Sequence, residues 1–346
     1  MITNKTLSFK EPNRFELMLP NTTPVDRTKA ELLAYSSSWV GTNVATFLLT
    51  IPRVMLPELT RHRNFSFSVE SSRAKSIEKV IEDIVKNKYY PDWTINKKGM
   101  SGEKLSDINQ RKRANEKVDF LAQTVINVVE LSLKDELGIH KQNANRYLEP
   151  FQYIDVIVTG SLTDWLAFLE LRHPQGDLIN KCEDSEPHGI NYSFPAQSEI
   201  QNIAIKVWNI LKDAEPNYLE PGEYHLPYRL ENDERVYTIE EQLSYASSKC
   251  ATISFGNHSE DNKTKANLDN TNRLYKRLIN HKHWSPLEHC LRVPTKEEVM
   301  SKAFDSITEI DENGIAKRKL GKYVSNISNH YWIQHRKEVE NRDVLL

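Results

Sequence analysis

The stretch Arg61-His62-Arg63-Asn64-Phe65-Ser66-Phe67-Ser68-Val69-Glu70-Ser71-Ser72-Arg73 decides how this chain is read. It gathers three guanidiniums, an imidazole and the Ser71 hydroxyl into one short run. A guanidinium keeps its charge at any working pH and presents a planar fork of donors suited to phosphates and anionic heterocycles. Only Glu58 and Glu70 stand nearby to offset that charge. Such a cluster asks for a dianionic ligand, with a nucleotide or dinucleotide as the first expectation. A solvated basic face is the commoner use of an Arg-His-Arg triplet, but the setting argues otherwise. Upstream, Val44-Ala45-Thr46-Phe47-Leu48-Leu49-Thr50-Ile51 is β-branched and apolar, of strand length, and closed by Pro52. Downstream, Ile77, Val80, Ile81, Ile84 and Val85 recur at helical spacing. The cluster therefore sits where a buried strand meets an amphipathic helix, a common place for ligands.

Working outward, the pattern predicts a helix near Thr28–Ser36, the strand 44–51 and a helix at about 75–87. A long helix is expected within 105–138, with Ile108, Val118, Phe120, Leu121, Val125, Val128, Val129 and Leu131 as its apolar face. Tyr153–Val158 reads as a strand, followed by a helix at 162–172. His173–Pro195 is polar and loop-like, and a strongly periodic helix runs over 196–213. Pro216–Arg229 carries three prolines and reads as a linker. Thr238 with Glu241 forms a capping box for the next helix, and Asn257–Thr271 reads as a loop before a helix leading to His283. Trp332-Ile333-Gln334-His335-Arg336 faintly echoes the Arg-His-Arg region.

Composition fits an enzyme of a reducing compartment. The 346 residues can bury a large core, and a net charge of −2 gives no global pull toward nucleic acid. Cys182, Cys250 and Cys290 show no metal-site or disulfide spacing. No apolar run has membrane length, and the N-terminus has no signal-peptide pattern. The expectation is a cytoplasmic protein that binds neither membrane nor metal. Two lobes are expected, 1–215 with the Arg-His-Arg motif and 230–346 with the His283 segment, forming one catalytic unit.

Arg-His-Arg, seven residues and then Ser, extended here by Ser71-Ser72-Arg73, resembles the signature of the flavin-dependent thymidylate synthases, the ThyX family. Three further segments are similar to that family. His283-Trp284-Ser285-Pro286-Leu287-Glu288-His289 resembles its flavin-contacting segment. Leu166-Ala167-Phe168-Leu169-Glu170-Leu171-Arg172, followed by Ala196-Gln197-Ser198-Glu199-Ile200, resembles its helix ending in Leu-Arg and the Ala-Gln-x-Glu-Ile after it. Asn145-Arg146-Tyr147 resembles the stretch with another nucleotide-binding arginine. The order is unusual: His283 lies 222 positions after Arg61 (283 − 61 = 222), whereas the family usually has this segment first. Ser247–Phe255, which resembles an N-terminal flavin-side segment, has moved as well. A circular permutation accounts for this, since a site needs spatial and not sequential adjacency.

The resemblance implies an α+β fold with a largely antiparallel sheet flanked by helices. It also implies a homo-oligomer, expected to be a tetramer, with sites between subunits. The implied reaction is FAD-dependent reductive methylation of dUMP to dTMP, with methylenetetrahydrofolate as carbon donor and NADPH as hydride source. Arg61, His62, Arg63, His283, Ser285, Glu288 and Ser161 are then expected on the flavin side. Ser71, Arg73, Arg146 and Arg172 are expected on dUMP, with Arg172 also activating the uracil ring. The residues depart from the family at Val69 and Ala74, at Glu58 where a glutamine is usual, and at Ala167 and Ser161 where asparagines are usual. These departures bear on substrate identity and leave two alternatives: one-carbon transfer to another pyrimidine nucleotide, or a non-catalytic homologue binding nucleotides or nucleic acid.

Overall fold

The computed structural model describes residues 24–98, 102–174, 196–231, 235–255, 268–310, 316–327 and 331–343. At its centre is a five-stranded sheet made of β1 (Lys29–Ser38), β2 (Val44–Pro52), β3 (Ser66–Val69), β4 (Tyr153–Ser161) and β5 (Asn217–Leu219). The order is β3-β4-β2-β1-β5, antiparallel throughout except that β5 runs parallel to β1. Helices flank it, so the α+β, mainly antiparallel architecture is the one observed.

One face of the sheet is apolar by alternation. Ala45, Phe47, Leu49 and Ile51 of β2 and Ile154, Val156 and Val158 of β4 join one buried cluster. It packs on α4 (Leu162–Arg172) through Trp165, Phe168 and Leu169, and on α5 (Ser198–Leu211) through Ile200, Ile203, Ala204 and Val207. Burying each Val, Leu, Ile or Phe of this cluster stabilises by about 1.5–3 kcal/mol. Trp165 lies edge-on to Phe47 at 4.9 Å and donates its indole N–H to the Ala45 carbonyl at 3.1 Å. Gly160 is needed here, because a Cβ at that position would lie 2.3 Å from the Phe65 ring. That close approach seats Phe65 on the sheet and anchors the Arg-His-Arg turn between the short helix α1 (Leu56–Thr60) and β3.

A second core joins α2 (Ile77–Asn87) to α3 (Ile108–Asn127), which continues as a π-helix over Val128–Glu136. Only Val118, Ala122, Ile126 and Val129 of this rod are buried, with Val125 packed against them. Ile108, Phe120, Leu121, Val128 and Leu131, expected on the inner face, are exposed. The helix period selects one stripe, and these residues lie off it. The expected helix at Thr28–Ser36 is instead β1, whose backbone pairs with β2 from Lys29 to Ser36 with one irregularity between Leu32 and Ala34. Tertiary pairing overrides local propensity there.

The expected linker at Pro216–Arg229 is also structured. It contributes β5 and then β6 (Tyr224–His225), which pairs with β7 (Leu291–Arg292), itself paired with β8 (Ile333–Gln334). Helix α6 (Ile239–Thr252) packs beside this small sheet through Leu243 and Ala246, α7 (Leu268–Asn280) packs on α6, and α8 (His335–Asp343) follows β8. The capping box predicted at Thr238 is present, with Glu241 reciprocating. Most of the expected loops at 173–195 and 257–271, and Cys182, lie outside the described residues.

Candidate functional site

The second face of the central sheet sets a row of hydroxyls beside a smaller apolar cluster, in which Leu33, Leu48 and Ile157 pack with Cys250 and Ile253. Ser36 of β1, Thr46 of β2, Thr159 of β4 and Ser66 and Ser68 of β3 are all buried. Two histidines from the C-terminal half knit four of these strands together. His225 joins Ser36 through Nδ1 and Thr46 through Nε2, both at 2.8 Å. Thr46 and Thr159 lie 2.6 Å apart, and His289 joins Thr159 at 2.8 Å and Ser68 at 3.0 Å. Gln334 donates to Ser66 at 3.0 Å, and Asn326 donates to Ser66 at 3.1 Å and to the Asn64 carbonyl at 2.7 Å. Burial pushes both histidines down to about 3, so each is neutral at pH 7 and able to accept as well as donate. Strand β3, between Arg63 and Ser71, is thus the seam on which the C-terminal segments dock.

Three patches of sequence-predicted residues surround that seam. The first is Arg172, the last residue of α4. Its Nε donates to His62 Nε2 at 3.4 Å, and its Nη2 lies 3.3 Å from Glu58. Arg61 reaches the same carboxylate at 3.4 Å while remaining exposed. The His62 ring stands edge-on to Phe168 at 5.0 Å. Burial, then the neighbouring Arg172 charge, lowers the His62 pKa to about 4, which suits an imidazole that accepts from a guanidinium. Asn64 ties the turn to the start of α4 by donating to Asp164 at 2.9 Å, and Arg63 points an exposed guanidinium outward from the same turn.

In the second patch, Ser71 donates its backbone N–H to the Ser254 carbonyl at 3.2 Å and accepts from the Arg73 N–H at 3.3 Å. Asn145 braces this loop by donating to the Ser72 and Lys75 carbonyls at 2.7 and 3.2 Å. Its neighbour Arg146 is exposed and pairs with Glu149 at 3.1 Å, as does Arg53. Buried Glu70 pairs with Lys75 at 2.5 Å, and burial raises its pKa. Among the described residues, no hydrogen bond or ion pair joins this patch to Arg172.

The third patch holds His283 and Ser285, both exposed, and Glu288. The preceding turn passes through Lys282 at φ 56° and closes with the His283 N–H on the Leu278 carbonyl at 2.8 Å. Glu288 pairs with Arg336 at 2.6 Å, and Arg336 also holds Glu340 at 2.9 Å and lies 6.0 Å from the Trp284 ring. Arg336 is a charged member of this patch that sequence reasoning did not assign; its only signal was the echo at Trp332–Arg336. His225 and His289 were also missed as structural groups.

Ser161, placed on the flavin side by resemblance, is fully buried as the N-cap of α4. Its hydroxyl donates to the Asp164 carboxylate at 2.6 Å and accepts from the Asp164 N–H at 3.1 Å. The structure thus gives this hydroxyl a capping role at the start of α4. Among the described residues, no group of three or more His, Cys, Asp or Glu is placed to hold a metal ion, and no helix is long and apolar enough to cross a membrane.

The family model described as thymidylate synthase complementing protein matches residues 31–217, more than half of the chain. The chain belongs to that family. The match holds Arg61–Arg63, Ser71, Arg73, Arg146 and Arg172 and stops before the Ser247–Phe255 and His283–His289 segments, which the structure nonetheless seats against β3 and the Ser71 loop. No curated protein matches the chain in sequence. Among solved structures it is similar to the UMP/dUMP methylase PolB from Streptomyces cacaoi bound with 5-Br UMP, at 18% identity and a TM-score of 0.43, covering 55% of this chain and 91% of that one. The same methylase bound with 5-Br dUMP gives 20% identity and a TM-score of 0.36, covering 48% and 64%. Thymidylate Synthase X from Helicobacter pylori with FAD and dUMP gives 19%, a TM-score of 0.29, and coverage of 48% and 66%. The chain thus spans slightly less than two thirds of two of these three structures.

Proposed function

We propose that this member of the family methylates dUMP at C5 to give dTMP, using FAD as redox carrier, methylenetetrahydrofolate as carbon donor and NADPH as hydride source. Family membership supports the reading. The observation that carries it is the contact of Arg172 with His62, which sets a planar, half-buried guanidinium beside the Arg-His-Arg turn. Charge developing on the uracil ring as C5 becomes nucleophilic is stabilised by such a fork, so no enzyme nucleophile is required. Neutral His62 and Glu58 hold that fork in one orientation.

The remaining residues fit anionic ligands. Arg61, Arg63 and Arg73 are exposed guanidiniums on one short segment, a donor set suited to a pyrophosphate and a nucleotide phosphate. Arg61, His62, Arg63, His283, Ser285 and Glu288 are proposed on the flavin, and Ser71, Arg73 and Arg146 on the nucleotide. The flavin, when bound, supplies the two electrons that turn the transferred one-carbon unit into a methyl group. Positive charge from Arg61 and Arg63 favours its anionic reduced form. Among the described residues no hydrogen bond or ion pair joins the Ser71 patch to Arg172, and by family resemblance further copies complete the site in a homotetramer.

Glu58 supports a second substrate reading, another pyrimidine nucleotide, because a carboxylate beside Arg172 accepts hydrogen bonds from a ligand where a neutral amide also donates. The test is turnover of purified protein with dUMP and, separately, UMP. The first reading expects dTMP from dUMP with bound flavin reoxidised; a 5-methylated product from UMP alone would replace it with the second.

A further inference from the structure

Asn145 joins the two segments that carry the exposed guanidiniums Arg73 and Arg146. It opens the tight turn Asn145–Tyr147, directly after the short helix Lys141–Ala144. Ala144 and Leu148 bury into the second core, which anchors this turn against α2 and α3. From that base Asn145, fully buried, donates from Nδ2 to the Ser72 carbonyl at 2.7 Å and to the Lys75 carbonyl at 3.2 Å. Lys141 donates from Nζ to the Ala74 carbonyl at 3.1 Å. All three bonds fall on residues that flank Arg73. The two carbonyls fix which way the amide points, since only its nitrogen donates. Asn145 Oδ1 is left buried with no hydrogen-bond partner among the described residues. A buried acceptor without a partner costs stability, so fold stability alone does not explain an amide here.

The carbonyls of Ser72, Ala74 and Lys75 are thereby committed to protein donors and do not compete for the Arg73 guanidinium. We propose that Asn145, seconded by Lys141, is a positioning residue that fixes Arg73 and Arg146 relative to one another, so that both guanidiniums grip one nucleotide phosphate. This role rests on the nucleotide reading above and names what builds that subsite. Two forks held by one buried residue lose less freedom on binding than two independent ones. The carboxylates in contact with this cluster are already partnered. Glu149 pairs with Arg146 and, on its other side, with Arg53, each at 3.1 Å, and Glu70 pairs with Lys75 at 2.5 Å. Arg53, Arg73, Lys75, Lys141 and Arg146 therefore outweigh Glu70 and Glu149, and the surplus positive charge suits a phosphate dianion. A residue that only braced the fold would act equally on ligands with and without a phosphate.

Calorimetry of the full chain with dUMP and with deoxyuridine, which lacks the phosphate, separates these roles. Asn145→Leu keeps bulk and removes both donated bonds, so it should weaken dUMP binding about tenfold or more and leave deoxyuridine binding unchanged. Lys141→Met removes one bond and one charge and should weaken dUMP about threefold. Lys141 is only half-buried, so this variant gives the readout even where Asn145→Leu misfolds. In an Arg73→Ala background the loss caused by Asn145→Leu should shrink by at least about twofold, because one group that it positions is gone. Equal losses for dUMP and deoxyuridine would make Asn145 a brace of the fold and overturn the proposal. So would dUMP affinity unchanged in both Asn145→Leu and Lys141→Met, or losses that simply add in the Arg73→Ala background. A wild type that binds neither dUMP nor UMP would overturn the nucleotide reading itself, and the positioning role with it.

Discussion

The two faces of the central sheet are held by different physics. On one, Phe47, Leu49, Val156 and Val158 bury against Trp165, Phe168 and Ile203, and stability comes from apolar area removed from water. On the other, Ser36, Thr46, Thr159 and Ser68 are bridged by His225 and His289, and the bonds choose one register more than they add stability. A satisfied buried hydrogen bond contributes about 0.5–1.5 kcal/mol net, whereas breaking one leaves its partner unpaired at about 1–3 kcal/mol. The apolar face therefore holds the domain together, and the polar face fixes where the C-terminal segments lie along β3.

That comparison can be broken at its strongest point. Trp165→Ala should cost about 3–5 kcal/mol of unfolding free energy in urea, because it removes a fully buried ring and its bond to Ala45. A loss below about 1 kcal/mol would mean that the apolar face is not the core. His289→Leu keeps bulk but strands Thr159 and Ser68, and about 2–4 kcal/mol should be lost. It should also loosen the His283–Glu288 segment, seen as faster amide exchange there than at β2; equal protection at both would contradict a docking role.

Acid should separate the faces further. His225 and His289 have pKa values lowered to about 3 in the folded chain, against about 6.5 when unfolded. The unfolded state binds their protons first, so their contribution is complete above pH 6.5 and declines as pH falls toward 3. The slope approaches about 1.4 kcal/mol per pH unit for each histidine. His289→Leu should remove its share of that slope, while Trp165→Ala should leave the slope unchanged and lower the whole curve.

The two faces also differ in how far the sequence revealed them. Alternation in β2 and the periodicity of α4 and α5 made the apolar face legible, and Arg-His-Arg with Ser71 marked the seam. The polar face was hidden because Thr46 and His225 are 179 residues apart and Ser68 and His289 are 221 apart. A hydroxyl in a strand looks the same whether it faces water or a buried imidazole. Pro216–Arg229 read as a linker for that reason, since its proline content was visible and the burial of His225 was not. The helix expected at Thr28–Ser36 failed because strand pairing decided it, and the outer strip of α3 was misplaced because several apolar stripes overlapped.

Smaller effects sharpen the proposed site. Arg172→Lys keeps the charge and loses the fork that meets His62 and Glu58, so turnover should fall about 100-fold or more while reduction of bound flavin changes little. Equal loss in both would make Arg172 a structural group of α4. Glu58→Gln removes the anion shared by Arg61 and Arg172, and dUMP affinity measured by calorimetry should rise a few-fold; a fall would make the carboxylate itself a ligand group.

The most direct measurement is product analysis of the purified chain supplied with dUMP, methylenetetrahydrofolate, FAD and NADPH. The account predicts a yellow protein that accumulates dTMP, with turnover abolished in Arg172→Ala. A colourless protein that makes no 5-methylated nucleotide, or an Arg172→Ala variant that makes dTMP at the wild-type rate, would contradict it.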